Sequence, residues 1–290
     1  MSLPVVRGLK ESPARGLLDV NPELLAEFLV SFLREELVVQ RGITKGVVGL
    51  SGGIDSAVTT YLAARALGAE NVHVIRMPYK ISSQASLDHA RLVTDDLGLP
   101  EQTIEITGMV DGYGGIPEVE MTPYRLGNVC ARARMIVLYD QGARIGAMPL
   151  GTGNKTERMF GYYTWHGDDA PPINPLGDLF KTQVFELARW IGVPEVICAK
   201  PPTADLIEGQ TDEGDFGISY AVADEILVLL MRRYSVKQCV AFGYEQRDVE
   251  LVAKKVSGTH WKRKLATVAM TSVTSINEYY LRPVDFRSLV

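Results

Sequence analysis

Cysteine is scarce in this chain. It occurs three times in 290 residues, at Cys130, Cys198 and Cys239, an odd number with no Cys-x-x-Cys pair. That scarcity excludes a disulfide framework and a cysteine-built zinc site, and it favours a reducing compartment. Apolar runs of membrane-spanning length are missing, and the first residues carry no signal-peptide pattern. The expected location is therefore the cytoplasm, with no membrane partner. An excess of positive charge is missing too. Thirty Lys and Arg against 35 Asp and Glu give a net charge of -5, which argues against a broad nucleic-acid surface.

What is present is an ordinary globular composition, 46% hydrophobic and 22% charged, enough for a sizeable core. We expect one domain over 1–290. Residues 1–20 are irregular, broken by Pro4, Gly8, Pro13 and Gly16, and 265–290 form a carboxyl-terminal extension. The most informative stretch is Val47–Ser56, VVGLSGGIDS, which leads into the helix-like Ala57–Leu67. Strand, glycine turn and helix start place backbone N–H groups where a phosphate is welcome. Ser51 and Ser56 add hydroxyl donors. Asp55 makes sense beside phosphates chiefly when a divalent cation sits between them. No Gly-Lys-Ser/Thr follows the glycines, so this is not a Walker loop. Plain turn and cap chemistry would give the same letters.

Around this loop, strands and helices alternate. Leu24, Leu25, Phe28, Leu29, Phe32 and Leu33 recur at helical spacing after Asn21-Pro22. Asn71–Met77 reads as a second strand, Ser82–Leu97 as a helix, and Thr103–Ile106 as a third strand. The pattern predicts an α/β fold, a doubly wound parallel sheet with helices on both faces and ligands beyond the strand carboxyl ends. Ser51–Ser56 and Pro78–Ser83 would offer one crevice there. Arg132 and Arg134, two apart in a helix, point to different faces. Gly142–Gly151 reads as a strand, after which Thr156 is a candidate cap. Phe160–Leu176 reads as a loop. Asp178–Ile191 reads as an amphipathic helix capped by Asp178. Lys181 in its first turn opposes the helix dipole, which implies an anionic neighbour such as a phosphate. The acidic run Ile207–Phe216 has the character of a mobile lid, and Tyr220–Tyr234 and Asp248–Ser257 read as helices.

The loop resembles the SGGxDS loop of the N-type ATP pyrophosphatases, and four further motifs resemble NAD synthetases in the family's order. These are GNVCARARM at Gly127–Met135, GTGNKTE at Gly151–Glu157, the Lys181 segment, and KPPTADL with the following Gln210, Asp212, Glu213, Gly217 and Tyr220. The resemblance spans Asn21 to Lys264 and implies an adenine nucleotide alpha hydrolase-like, Rossmann-like fold. It implies ATP contacts at Gly49, Leu50, Ser51, Gly52, Gly53, Ile54, Asp55, Ser56, Thr152, Lys181 and Thr203. Mg²⁺ would be held by Asp55 and Glu157, and the dinucleotide substrate would be met by Arg132, Trp165, Asp168 and Lys262. At Trp165 and Pro172 the chain departs from the family's lysine and aspartate. At Trp261-Lys262-Arg263 it keeps the lysine of the closing HKR tripeptide without its histidine.

The activity so implied is amidation of deamido-NAD⁺ to NAD⁺ through an adenylate, with ATP as co-substrate and AMP and pyrophosphate released. Asp55, Asp168 and Lys181 are the implied catalytic residues, and Asp168 is our candidate to take the proton from attacking ammonia. Glutamine-using relatives carry a nitrilase-like domain ahead of the loop, and too little chain precedes Ser51 for one, so ammonia is the expected donor. The family implies a homodimer. A tRNA-modifying or other amidating pyrophosphatase is the alternative, and a non-enzymatic nucleotide-binding protein is a further one.

Overall fold

The structure, a computed structural model, describes residues 12–203, 211–264, 267–269 and 271–272. After a single turn, α1 (Arg15–Leu18), helix α2 (Pro22–Arg34) begins where Asn21 accepts the Leu24 N–H at 3.1 Å. Pro22 takes the first position, where its missing N–H costs nothing. Ala26, Leu29 and Leu33 form the buried stripe, whereas Leu24 and Phe28 face outward despite their helical spacing. A π-helical turn, Glu35–Val39, buries Leu37.

Strand and helix then alternate: β1 (Lys45–Gly49), α3 (Ile54–Leu67), β2 (Val72–Arg76), α4 (Gln84–Leu97), β3 (Glu101–Thr103), α5 (Thr107–Gly114), α6 (Pro123–Ile145) and β4 (Ala147–Leu150). The strands stand in the order β3-β2-β1-β4 and every pairing is parallel, with Val48 opposite both Val74 and Leu150. Side chains alternate across the sheet. Val48, Val74 and Leu150 pack with Leu29, Leu62 and Leu187 on one face. Val47, Ile75 and Ala147 pack with Ala133, Val137 and Leu138 of α6 on the other. The doubly wound parallel sheet is therefore present.

Beyond β4 come α7 (Lys155–Phe160), α8 (Lys181–Ile191), α9 (Glu195–Cys198), α10 (Asp212–Phe216), α11 (Tyr220–Met231), α12 (Val236–Ala241) and α13 (Gln246–Gly258). Phe160, Phe216, Ile226, Leu227, Val249 and Val252 give these last helices an apolar cluster of their own. No described helix is long and apolar enough to cross a membrane.

Several boundaries differ from the sequence reading. The stretch Gly142–Gly151 is not one strand. Helix α6 runs through Ile145 and stops at Gly146, whose φ of +69° supplies the left-handed cap, leaving four residues for β4. The third strand is Glu101–Thr103, while Ile106 is fully buried at the start of α5. Asp178 does not cap α8. It is exposed and ion-paired to Lys155 at 2.8 Å, and the helix starts at Lys181. Thr156 does not cap α7 either, because Asn154 holds that place in a capping box with Glu157. Residues 1–11, 204–210, 265–266, 270 and 273–290 lie outside the described residues. They include much of the acidic run and most of the carboxyl-terminal extension. Asp212–Phe216, the later part of that run, is helical.

The chain leaves β3 at one edge and returns as β4 on the far side of β1. That reversal makes the carboxyl ends of β1 and β4 the topological switch point, the usual ligand position in an open parallel sheet.

Candidate active site

After β1, the Leu50 N–H donates to the Ile75 carbonyl at 3.1 Å, which extends the parallel pairing to the start of the turn. Gly52 has φ +80°, and a Cβ there would lie 2.1 Å from the Ser86 carbonyl oxygen. Glycine is required at this point on both counts. The start of α4 thus packs onto the loop, and a cleft lined by Gly151, Gly153 and Glu157 opens beyond β4. Ser56 Oγ donates to the Gly53 carbonyl at 2.9 Å and lies 3.1 Å from Ser51 Oγ. No side chain caps α3, whose N-cap is Gly53. Its first-turn amides and the two hydroxyls gather at one helix start, the candidate phosphate cradle. Gly49 and Leu50 lead into that cradle, and Ile54 opens α3 behind it.

Facing the cradle, four side chains form one polar network. Asn154 Nδ2 donates to Asp55 Oδ1 at 3.0 Å, and the Asn154 N–H donates to Glu157 Oε2 at 3.2 Å. The ammonium of Lys181 binds Asp55 Oδ2 and lies 3.5 Å from Glu157 Oε1. Lys181 is 1% exposed. Burial alone would lower its pKa, yet the charges of Asp55 and Glu157 outweigh that and the net shift is upward. Burial, then the like charge of Asp55, raises the Glu157 carboxyl well above the carboxylate range. The anionic neighbour expected for Lys181 is present, and here it is Asp55, with the Glu157 carboxyl beside it.

Two further acids surround the lysine. Tyr220 donates to Asp212 Oδ2 at 2.8 Å and presents its ring 5.2 Å from Lys181 Nζ. Asp224 accepts from Thr156 and Thr182. Asn154, Asp212 and Asp224 escaped the sequence reading. Asn154 was legible as the first residue of an N-x-x-E capping box and Asp212 stood within a motif without being given a role, but nothing local marked Asp224.

The substrate-side residues gather on a neighbouring loop. Arg132 donates to the Trp165 carbonyl at 3.0 Å, while Arg134 turns the other way, to the Met77 carbonyl at 3.0 Å. Lys262 donates to the carbonyls of Gly161 and Tyr163. Trp165 stacks on His166 at 4.4 Å and meets Trp261 edge-on at 5.3 Å. The Thr164 N–H donates to Asp168 Oδ1 at 2.7 Å. Asp168 faces the mouth of a cleft shared with Glu157, Arg158, Tyr163, Asp169 and Asn174. Although the side chain reaches solvent, the protein crowded around it raises its carboxyl to about 6, against the pull of the Thr164 amide. Thr152 stands at the end of β4 beside the cleft. Thr203 directly precedes 204–210, outside the described residues.

Asp55 and Glu157 suit a hard divalent cation in one respect: both offer carboxylate oxygens converging on a single buried cationic group, now Lys181. Among the described residues no group of three or more His, Cys, Asp or Glu is placed to hold a metal. Such a pair fits Mg²⁺, which binds through one or two carboxylates and completes its shell with phosphate and water.

Known proteins resemble this chain in sequence and in fold. The NH(3)-dependent NAD(+) synthetase of Trichlorobacter lovleyi is 45% identical over 93% of this chain and 96% of its own length. The solved structure of an NMN synthetase from Francisella tularensis superposes with a TM-score of 0.78 at 30% identity, covering 87% of this chain and 99% of that one. An NH3-dependent NAD synthetase from Campylobacter jejuni gives a TM-score of 0.74 at 30% identity, covering 87% and 100%. The sequence profile of NAD synthase matches residues 25–266, and the chain belongs to the NAD synthase family.

Proposed function

We propose that this protein converts deamido-NAD⁺, ATP and ammonia to NAD⁺, AMP and pyrophosphate. One observation carries the reading: a single cleft joins Glu157, beside the phosphate cradle, to Asp168 on the substrate loop. Adenylation and amide formation can then share one site. In the first step a nicotinate carboxylate oxygen bonds to the α-phosphorus, and the bond to pyrophosphate breaks. Gly52, Gly53, Ser51 and Ser56 hold the departing pyrophosphate, and Thr152, Lys181 and Thr203 complete the ATP contacts. Asp55 and Glu157 would hold Mg²⁺, which supplies neutralisation of phosphate charge. In the second step the ammonia nitrogen bonds to the acyl carbon, the bond to AMP breaks, and Asp168 takes the proton. Arg132, Trp165 and Lys262 orient the dinucleotide, so positioning and charge carry most of the catalysis.

The homodimer, the cytoplasmic location and the single-domain organisation belong to this reading too. The test is NAD⁺ formation from deamido-NAD⁺, ATP and Mg²⁺ with ammonium and glutamine in parallel reactions. Product with ammonium alone is expected. The likeness to an NMN synthetase sets the competing reading, in which nicotinate mononucleotide is the acyl substrate. Faster turnover of that mononucleotide than of deamido-NAD⁺ would establish it. Pyrophosphate release without either acyl substrate would count against both.

A further inference from the structure

Helix α8 carries Lys181 at its first position, and its N-cap residue is Phe180, whose ring offers no acceptor. The first-turn amides of such a helix need partners from elsewhere. Asp224 of α11 takes one of these amides directly and holds the side chain that takes another. Its Oδ2 accepts both the N–H and the hydroxyl of Thr182 at 2.9 Å, and its Oδ1 accepts the Thr156 hydroxyl at 2.5 Å. Thr156 Oγ1 in turn accepts the Lys181 N–H at 3.0 Å. Asp224 and Thr156 are both fully buried. One carboxylate therefore ties the first turn of α8 to α7, at residues adjacent in sequence to Lys181 and to Glu157.

We propose that Asp224 is a positioning residue: it caps α8 from a distant helix and, through Thr156, fixes Lys181 relative to Asp55 and Glu157. Burying a carboxylate is costly where an apolar side chain would fill the same space. The three donors offset that cost and orient two helix starts together. A carboxylate also suits the positive end of the α8 dipole. Asp224 touches neither nucleotide nor metal in this scheme. It acts through the backbone of α8 and the hydroxyl of Thr156.

The inference rests on the reading of Asp55 and Glu157 as the metal-holding pair, so the experiment separates the two. Full-length parent, D224N, T156V and the double variant would be compared for thermal unfolding, for Mn²⁺ binding in the presence of ATP by electron paramagnetic resonance, and for kcat and KM. Folded D224N should lose about ten-fold in kcat, the scale expected of a misplaced catalytic group, with KM for deamido-NAD⁺ nearly unchanged and weaker Mn²⁺ binding. T156V should lose a similar factor, and the double variant no more than the worse single one, because both break the same link. Independent, multiplying losses would overturn the proposal, as would a D224N with parental kcat and Mn²⁺ affinity. Should D224N fail to fold, T156V against T182V decides: T156V should lose the ten-fold factor, whereas T182V keeps the capped N–H and most of its activity. Equal effects of those two would overturn the link. A parent that binds no Mn²⁺ with ATP would defeat the metal reading itself, and this inference with it.

Discussion

Asp168 shows how much chemistry a single side chain takes from its surroundings. An ordinary aspartate is fully ionised well below neutrality, but crowding at the cleft mouth raises this one to about 6. A proton acceptor must be ionised to act. Below about pH 6 Asp168 is protonated and idle, so at a constant concentration of free ammonia amide formation should fall about ten-fold per pH unit on that limb. D168N should flatten the limb and slow amide formation while leaving pyrophosphate release nearly intact. Parallel pH profiles of pyrophosphate and NAD⁺ would check this, and equal loss of both steps would remove Asp168 from the base role. The aspartate was legible because the resemblance to a known family implies a substrate contact at Asp168. Its altered acidity was not, since that comes from residues brought in by other elements.

At the scale of elements, the phosphate cradle depends on how closely α4 packs against the β1–α3 turn. In G52A the new methyl would meet the Ser86 carbonyl, and a left-handed alanine alone costs about 1–2 kcal/mol. Urea unfolding should register at least that loss, and ATP affinity should fall because relief requires the loop to move. The same scale shows where local sequence is informative. Strands β1 and β2 were readable from apolar runs, and the start of α2 from Asn21-Pro22. The start of α8 was misplaced by three residues because Asp178 resembles a cap, whereas the working cap is Asp224, 42 positions beyond Thr182. The Gly142–Gly151 stretch misled for a different reason: its small and apolar residues suit strand and helix alike, and only the left-handed Gly146 separates the two.

For the whole molecule, the network of Asp55, Asn154, Glu157 and Lys181 joins β1–α3 to β4–α7 and α8 across the switch point. A ligand binding there should stabilise the entire fold. ATP with Mg²⁺ at one hundred times its dissociation constant would add about 2.7 kcal/mol. For a chain of this size that raises Tm by several degrees. D55N should abolish most of the Mg²⁺-dependent part of that rise in a thermal-shift titration. A rise with ATP that is indifferent to Mg²⁺ and to Asp55 would remove the aspartate from the metal site.

The sequence by itself determined the α/β alternation, the glycine loop and the identity of Asp55, Glu157, Lys181 and Asp168 as candidates. The alternation and the loop follow from short-range rules, namely the period of apolar residues and the conformational freedom of glycine, whereas the candidate residues beyond the loop were marked by motifs that resemble a known family. Only the tertiary structure decided that Asp55 and Glu157 share the Lys181 ammonium, that one cleft brings Glu157 and Asp168 together, and that Asp224 caps α8. Each of these is a meeting of residues from separate segments of the chain. Strand order and helix packing fix those distances, and no local pattern encodes them.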